Sequence, residues 1–279
     1  MARCVFLSVL VLLSGCATSR LSGAELDRVV QPAFISRIEI EAGPKSLVFR
    51  EDDAYGDKLK KLEPKEADRR LQAKLMKAVT RFEISERLRV GTIQQLPQER
   101  PWTNTVDPAR VASALESFLV EEVPANAPDY DLLLPLGVDT VVEFVIQDYG
   151  MRSDNGHAGA YVKGYGRMFR LAGRSEMWRR SFSVDQIEAG EPHLDPLKVG
   201  KDPDLFRQAI TSLLDVVAEQ FAKDLSPKDR RGGPPLPVEG GPDIHAPSDS
   251  TNRTGRENEP PSRRPEPELP AGELPDPDP

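Results

Sequence analysis

Cysteine is nearly absent from this chain: two occur in 279 residues, at positions 4 and 16. From Ala17 onward no thiol exists to close a disulfide, bind a metal as thiolate or act as a nucleophile. Export is not excluded by this, because a domain of ordinary size can be stable on its hydrophobic core alone. Histidine is almost as scarce. His157, His193 and His245 are scattered, and none lies at i, i+3 or i+4 from another metal-type ligand on a predicted helix. Past the amino-terminal residues, no run approaches the roughly 18 uninterrupted apolar residues that cross a bilayer. An excess of positive charge is missing too: the net charge is −8, which argues against nucleic acid or anionic lipid headgroups as the main partner. No fixed repeat period of 20–50 residues is apparent.

What the chain does have begins at its amino terminus. A single basic residue, Arg3, precedes an apolar run from Val5 to Leu13 broken only by Ser8, followed by Ser14-Gly15-Cys16. A short basic start, an apolar core and small residues at a cut point make a secretory signal, too short for a membrane span. Leu13-Ser14-Gly15-Cys16 resembles the lipobox of bacterial lipoproteins. In that family the cysteine thiol carries diacylglycerol, the chain is cut before the cysteine and the new amino terminus is acylated, palmitate being a typical chain. The resemblance implies that Cys16 is the lipidation site and that Cys4 leaves with the signal. A single acyl chain holds a membrane only marginally, at about 0.8 kcal/mol per buried CH₂, so three anchor firmly. Lipoproteins kept at the inner membrane commonly carry aspartate where this chain has Ala17. The resemblance therefore implies the periplasmic face of the outer membrane, with the inner membrane left open.

Composition divides the chain into 1–16 (signal and anchor), 17–33 (tether), 34–226 (one periplasmic domain) and 227–279 (tail). The tail is dominated by Pro, Gly, Ser and charged residues, with only Leu236, Val238, Ile244, Leu269 and Leu274 to interrupt the polarity. It cannot bury enough apolar surface to offset ordering, and disorder or partial polyproline II is expected. It could act as a spacer, reaching about 3.1 Å per residue where extended, or as a passive solubilising segment.

Within the domain, Ile35, Ile38 and Ile40 alternate with polar residues as a first strand, which Ser46–Arg50 could continue. Pro64 opens a helix with Leu71, Leu75, Val79 and Phe82 on one face and Lys65, Arg69, Lys74, Lys77 and Arg81 on others. A strand is predicted over Ile84–Val90. Asp107-Pro108 then caps a helix with Val111, Leu115, Phe118 and Leu119 on its core face. Asp139–Tyr149 reads as a strand ended by Gly150. Asp154-Asn155-Gly156 and Ala172-Gly173-Arg174 read as turns joining it to Tyr161–Leu171 and Glu176–Val184, an antiparallel three-stranded meander. A long helix is expected over Pro203–Leu225, with Phe206, Ile210, Leu213, Leu214, Val217, Phe221 and Leu225 at helical spacing. The fold class is α/β: a single sandwich domain with a mixed sheet, in the order β-α-β-α-β-β-β-α.

Leu71–Val90 (a helix running into Arg81-Phe82-Glu83-Ile84), the segment Gly137–Val142, Asp148-Tyr149-Gly150, Tyr161–Leu171 and the hairpin Ala172–Trp178 resemble the amino-terminal domain of TolB and the periplasmic domains of CsgG-type and LpoB-type lipoproteins. The resemblance spans about 35–225 and implies a non-enzymatic envelope protein that docks on periplasmic or outer-membrane proteins. The long amphipathic hairpins of CsgG-type pores have no counterpart here.

No nucleophile elbow or phosphate loop is present; Gly164-Tyr165-Gly166 lies within a strand, where close packing of a neighbour explains it. Glu191, His193 and Asp195 in a Pro-containing loop read as solvated, and the carboxylate pairs Asp52-Asp53 and Glu121-Glu122 as surface. No catalytic residue, metal site or cofactor is assigned. On the meander, Tyr161, Tyr165 and Phe169 share one strand face with Lys163 and Arg167, and Trp178 follows on the next strand. Tyr161, Lys163, Tyr165, Arg167 and Phe169 are the candidate partner-binding surface; an outer sheet face with aromatic cross-strand pairs satisfies the same pattern. The expected function is a lipid-anchored accessory in envelope transport or assembly. Alternatives are a LpoB-like activator of a peptidoglycan synthase and, less favoured, a periplasmic hydrolase.

Overall fold

The computed structural model describes residues 20–39, 43–49, 55, 59, 62–115, 126–190 and 193–228. The signal with Cys16, the pairs Asp52-Asp53 and Glu121-Glu122, Phe118, Leu119, Glu191 and residues 229–279 lie outside them.

The sheet is organised around one long strand, β3 (Thr140–Asp154), whose first half is buried on both faces, as its continuous apolar run requires. Beside that half lies β1 (Pro32–Ile38), parallel, with Pro32 opposite Thr140 and Ile38 opposite Ile146. The short β2 (Lys45–Leu47) runs parallel to the second half, with Lys45 opposite Gly150. On the other side β4 (His157–Arg170) and β5 (Glu176–Asp185) follow antiparallel, in the order β1-β3-β4-β5. The molecule is thus mixed α/β with a mixed five-stranded sheet, and the meander lies where turn chemistry placed it. At the first turn, Asn155 and Gly156 both take positive φ.

Three expectations about elements are corrected. Gly150 does not end its strand; β3 continues to Asp154. A Cβ at Gly150 would stand 2.0 Å from the Lys45 carbonyl oxygen, so the glycine admits β2 as a close neighbour. The predicted strand Ile84–Val90 is helical, within α3 (Arg81–Gln95). Thr80 and Glu83 form a capping box: the Thr80 hydroxyl accepts from the Glu83 N–H at 3.1 Å, and the Glu83 carboxylate accepts from the Thr80 N–H at 2.7 Å. Ile84, Leu88 and Thr92 are then buried at four-residue spacing, which a strand cannot place on one side. The helix expected from Pro64 stops at Ala78 (α2, Pro64–Ala78), Val79 is extended, and Phe82 is 46% exposed on α3.

Part of the expected tether is also folded. Ser22 and Glu25 cap the one-turn helix α1 (Gly23–Leu26), and Leu21, Leu26 and Val29 are buried in the main core. With α4 (Pro108–Ala114), α5 (Gln186–Ala189), α6 (Pro196–Val199) and α7 (Asp204–Asp224), the order is α-β-β-α-α-α-β-β-β-α-α-α among the described residues. It replaces the expected β-α-β-α-β-β-β-α.

The main core lies between one sheet face and α2, α3 and α7. Phe221 of α7 stacks on Phe144 of β3 at 5.1 Å and meets Trp178 and Phe182 of β5 edge-on at 5.4 and 5.6 Å. Gly166 exists for this contact: a Cβ there would come within 2.6 Å of the Trp178 ring. A second, smaller core lies on the opposite face. Ala33, Ile35, Val141, Phe169 and Leu171 pack beneath Val111 and Leu115 around α4 and beneath Tyr130 and Leu133 of the 3-10 turn Tyr130–Leu136.

Candidate functional site

The second face of the sheet changes character at Glu143. Strand alternation aims this residue to the same side as Val141 and Phe169, at the edge of the smaller core, where its side chain has no solvent exposure. A carboxylate taken out of water needs charged partners and filled lone pairs. Arg37 Nε donates to Oε1 at 2.8 Å, Arg167 Nε donates to Oε2, and the Tyr130 hydroxyl donates to Oε1. Arg167 in turn donates to the Tyr130 oxygen at 3.4 Å, and Arg37 to the Tyr165 hydroxyl at 3.2 Å. Arg37 also pairs with Glu39 at 3.1 Å.

These contacts set the ionisation of the cluster. Burial disfavours the Arg37 and Arg167 cations, but the hydrogen bonds and charge of Glu143 outweigh it and raise both pKa values. Burial first, and then the Glu143 charge, push the Tyr130 phenol far above the ordinary tyrosine range, so it remains a donor. Burial raises the Tyr165 phenol as well, against the opposing charge of Arg37.

Around this centre the guanidinium groups lie over aromatic rings. Arg167 stands 4.9 Å from the Phe169 ring centre, Arg174 5.0 Å from Tyr130 and Arg179 4.8 Å from Tyr165. Tyr130, Arg167, Phe169, Arg174 and Glu176 line a shallow cleft of about 280 Å³. Three nearby carboxylates are engaged, Glu143 as described, Glu176 by Arg179 at 2.9 Å and Asp131 by Arg174 at 2.6 Å. The cleft therefore offers guanidinium N–H donors and ring faces to a visitor, a chemistry suited to carboxylates and planar groups.

No family model and no curated protein match the sequence. Solved structures with a similar course of chain include three bacterial proteins. The PelC dodecamer from Paraburkholderia phytofirmans is 6% identical with a TM-score of 0.31, the match covering 76% of this chain and 94% of that one. Lipoprotein GNA1162 from Neisseria meningitidis is 11% identical at a TM-score of 0.33, covering 70% of this chain and 99% of that one. Protein XCC0632 from Xanthomonas campestris, of the DUF330 family model, is 10% identical at 0.28, covering 75% and 89%. Likeness this low carries no argument about the present chain, whose reading rests on its own residues.

Of the five residues singled out from the sequence, all lie on one face of β4 but not all are accessible. Tyr161 and Phe169 are buried, at 1% and 4% exposure, which corrects their assignment to an open surface. Tyr161 donates to Asp148 at 3.1 Å, and Phe169 belongs to the smaller core. Lys163 is exposed, while Tyr165 and Arg167 are half-buried. Trp178 points to the opposite face, into the main core. Glu143, Arg37 and Tyr130 went unnoticed in the sequence. The available signal was a lone carboxylate inside the apolar run Val141–Ile146; Arg37, among the polar residues that alternate along β1, carries no such mark.

Two histidines judged scattered in the sequence meet in space: His157 and His193 stack with ring centres 3.9 Å apart. Asp195, read as solvated beside His193, caps α6 by accepting from the Leu197 N–H at 2.8 Å. Among the described residues no group of three His, Cys, Asp or Glu side chains could hold a metal ion.

Proposed function

We propose that this chain is a lipid-anchored envelope protein that works by binding rather than turnover, as an accessory in envelope transport or assembly. The anchor is Cys16, placed at the periplasmic face of the outer membrane. The binding surface is the open part of the second sheet face: the cleft beside Arg174, and the strip formed by Lys163, Tyr165, Arg167 and Arg179. A periplasmic or outer-membrane protein that presents carboxylates and planar side chains fits it best.

The observation that carries this reading is the condition of Glu143. It has three donors and no solvent access, so it holds two guanidinium groups in place and is closed to direct contact with a substrate. Preorganised arginines on rings are what a recognition surface needs, since less side-chain freedom is lost on docking. Among the described residues no helix is long and apolar enough to cross a membrane, in keeping with attachment through the Leu13–Cys16 segment.

A photo-crosslinking residue placed at Lys163 or Ser183, both exposed, tests the surface in intact envelopes. The expected result is one adduct of defined size from both positions, weakened by Lys163→Glu when the probe is at 183. Val216, 48% exposed on α7 across the sheet, serves as the comparison. The same adduct from 216, or none from 163 and 183, would refute the surface.

A further inference from the structure

We propose that a basic pocket beside the amino-terminal end of the folded region binds phosphate-bearing headgroups of an anionic leaflet. The pocket, about 700 Å³, is framed by Arg20, by Arg179 and Arg180 of β5, and by Lys223, Asp224 and Lys228 at the end of α7. The buried Trp178 forms part of its floor. Three of these cations have carboxylate partners. Arg179 pairs with Glu176 at 2.9 Å, Arg180 with Asp224 at 2.9 Å and Lys223 with Glu219 at 2.5 Å. Arg20 and Lys228 are exposed, and among the described residues neither has a carboxylate within ion-pair distance. The pocket thus has three paired cations and, among the described residues, two with no carboxylate partner. The carboxyl end of α7 opposes an anion here with about half a charge, less than the charge of Arg20 and Lys228 together.

Position identifies the ligand. This step rests on the lipid-anchor reading, because Arg20 lies four residues after Cys16. Four residues reach at most about 14 Å when fully extended, so the pocket cannot leave the layer next to the headgroups. Over a screening length of about 8 Å it is the local charge that a leaflet meets, not the −8 of the whole chain. The net charge of the whole chain therefore does not decide what this one place binds. The anchor would set the distance, and the pocket would fix which side of the domain faces the bilayer, with Arg179 shared between the pocket and the Lys163 strip.

The test uses the mature chain with residues 1–15 removed and Cys16→Ser, sedimented with phosphatidylcholine vesicles with and without phosphatidylglycerol. Binding is expected only where phosphatidylglycerol is present, falling as salt rises. Arg20→Ala and Lys228→Ala should each weaken it about fivefold, as loss of one cation near an anionic surface does. Lys201→Ala, an exposed cation outside the pocket, should leave it unchanged. Equal binding to both vesicles, or indifference to Arg20 and Lys228, would overturn the proposal. So would saturation by inorganic phosphate without vesicle binding, which would make the site one for free phosphate. Vesicle binding that emerges only after removal of 229–279 would assign the pocket to the acidic tail and likewise overturn it. Mass spectrometry of the wild-type chain keeps the two readings apart: an unacylated Cys16 with phosphatidylglycerol binding intact removes the anchor and leaves the pocket's ligand standing.

Discussion

Arg37 Nε lies 2.8 Å from Glu143 Oε1, joining β1 and β3 through side chains 106 residues apart in the sequence. Register places Ile35, not Arg37, opposite Glu143, so the guanidinium reaches diagonally along the sheet. Its side chain is 6% exposed and that of Glu143 not at all. An ion pair so enclosed adds little net stability compared with apolar residues, but losing one member is costly.

Glu143→Gln should therefore destabilise the domain by about 3–5 kcal/mol, because Arg37 and Arg167 lose their shared counter-charge. Arg37 keeps Glu39 at 3.1 Å, which favours the lower end of that range. Urea denaturation measures the change. A loss under about 1 kcal/mol, the scale of an exposed pair, would show that the cluster is not acting as a buried charge centre.

Gly166→Ala should cost about 1–3 kcal/mol by overpacking, since the new methyl group would meet the Trp178 ring at 2.6 Å. Tryptophan fluorescence and the midpoint of thermal unfolding report it together. Unchanged values for both would contradict the close packing of β4 against β5 and α7.

Alkaline pH should unfold the protein by way of its tyrosines. Burial raises the phenols of Tyr130, Tyr161 and Tyr165, and pushes Tyr149 up to about 12. Unfolded tyrosines ionise near pH 10, so above it the unfolded chain binds fewer protons and stability falls with rising pH. The contribution is complete below about pH 10 and is lost as the folded-state values are passed. Phenolate absorbance should rise cooperatively with unfolding, above the pH at which free tyrosine titrates; four phenols titrating near pH 10 in a folded chain would refute this.

Cys16→Ser should release the chain from the membrane fraction, and retention after detergent-free washing would refute the anchor. Removal of 229–279 should leave the melting temperature almost unchanged, because α7 closes on itself: Leu225 N–H donates to the Phe221 carbonyl at 2.9 Å and Ser226 Oγ to that of Ala222 at 2.7 Å. A large drop would show that the tail packs on the domain.

The meander and α7 were legible because their signals are local: turn residues at 154–156 and 172–174, and an apolar stripe of helical period from Phe206 to Phe221. The strand predicted at Ile84–Val90 failed for a local reason too. Thr80 and Glu83 carry a helix-start signature, and Ile84 and Leu88 stand one helical turn apart, while Leu88 and Val90 alone fit a strand period. At Gly150 the local reading was reasonable, since glycine often ends strands; only the approach of Lys45, over a hundred residues earlier, explains a glycine inside one.

By itself the sequence determined the absence of thiols after Cys16, the meander with its turns and the closing helix. Each follows from neighbours in the chain, where propensity and periodicity act directly. Tertiary structure decided which face of β4 is open, which aromatic residues are buried, and that Glu143 gathers Arg37, Arg167 and Tyr130. It also decided that Arg20 and Lys228, at opposite ends of the described chain, share one pocket. Such placements depend on sheet register and long-range packing, and charge acts through distance in space rather than separation along the chain.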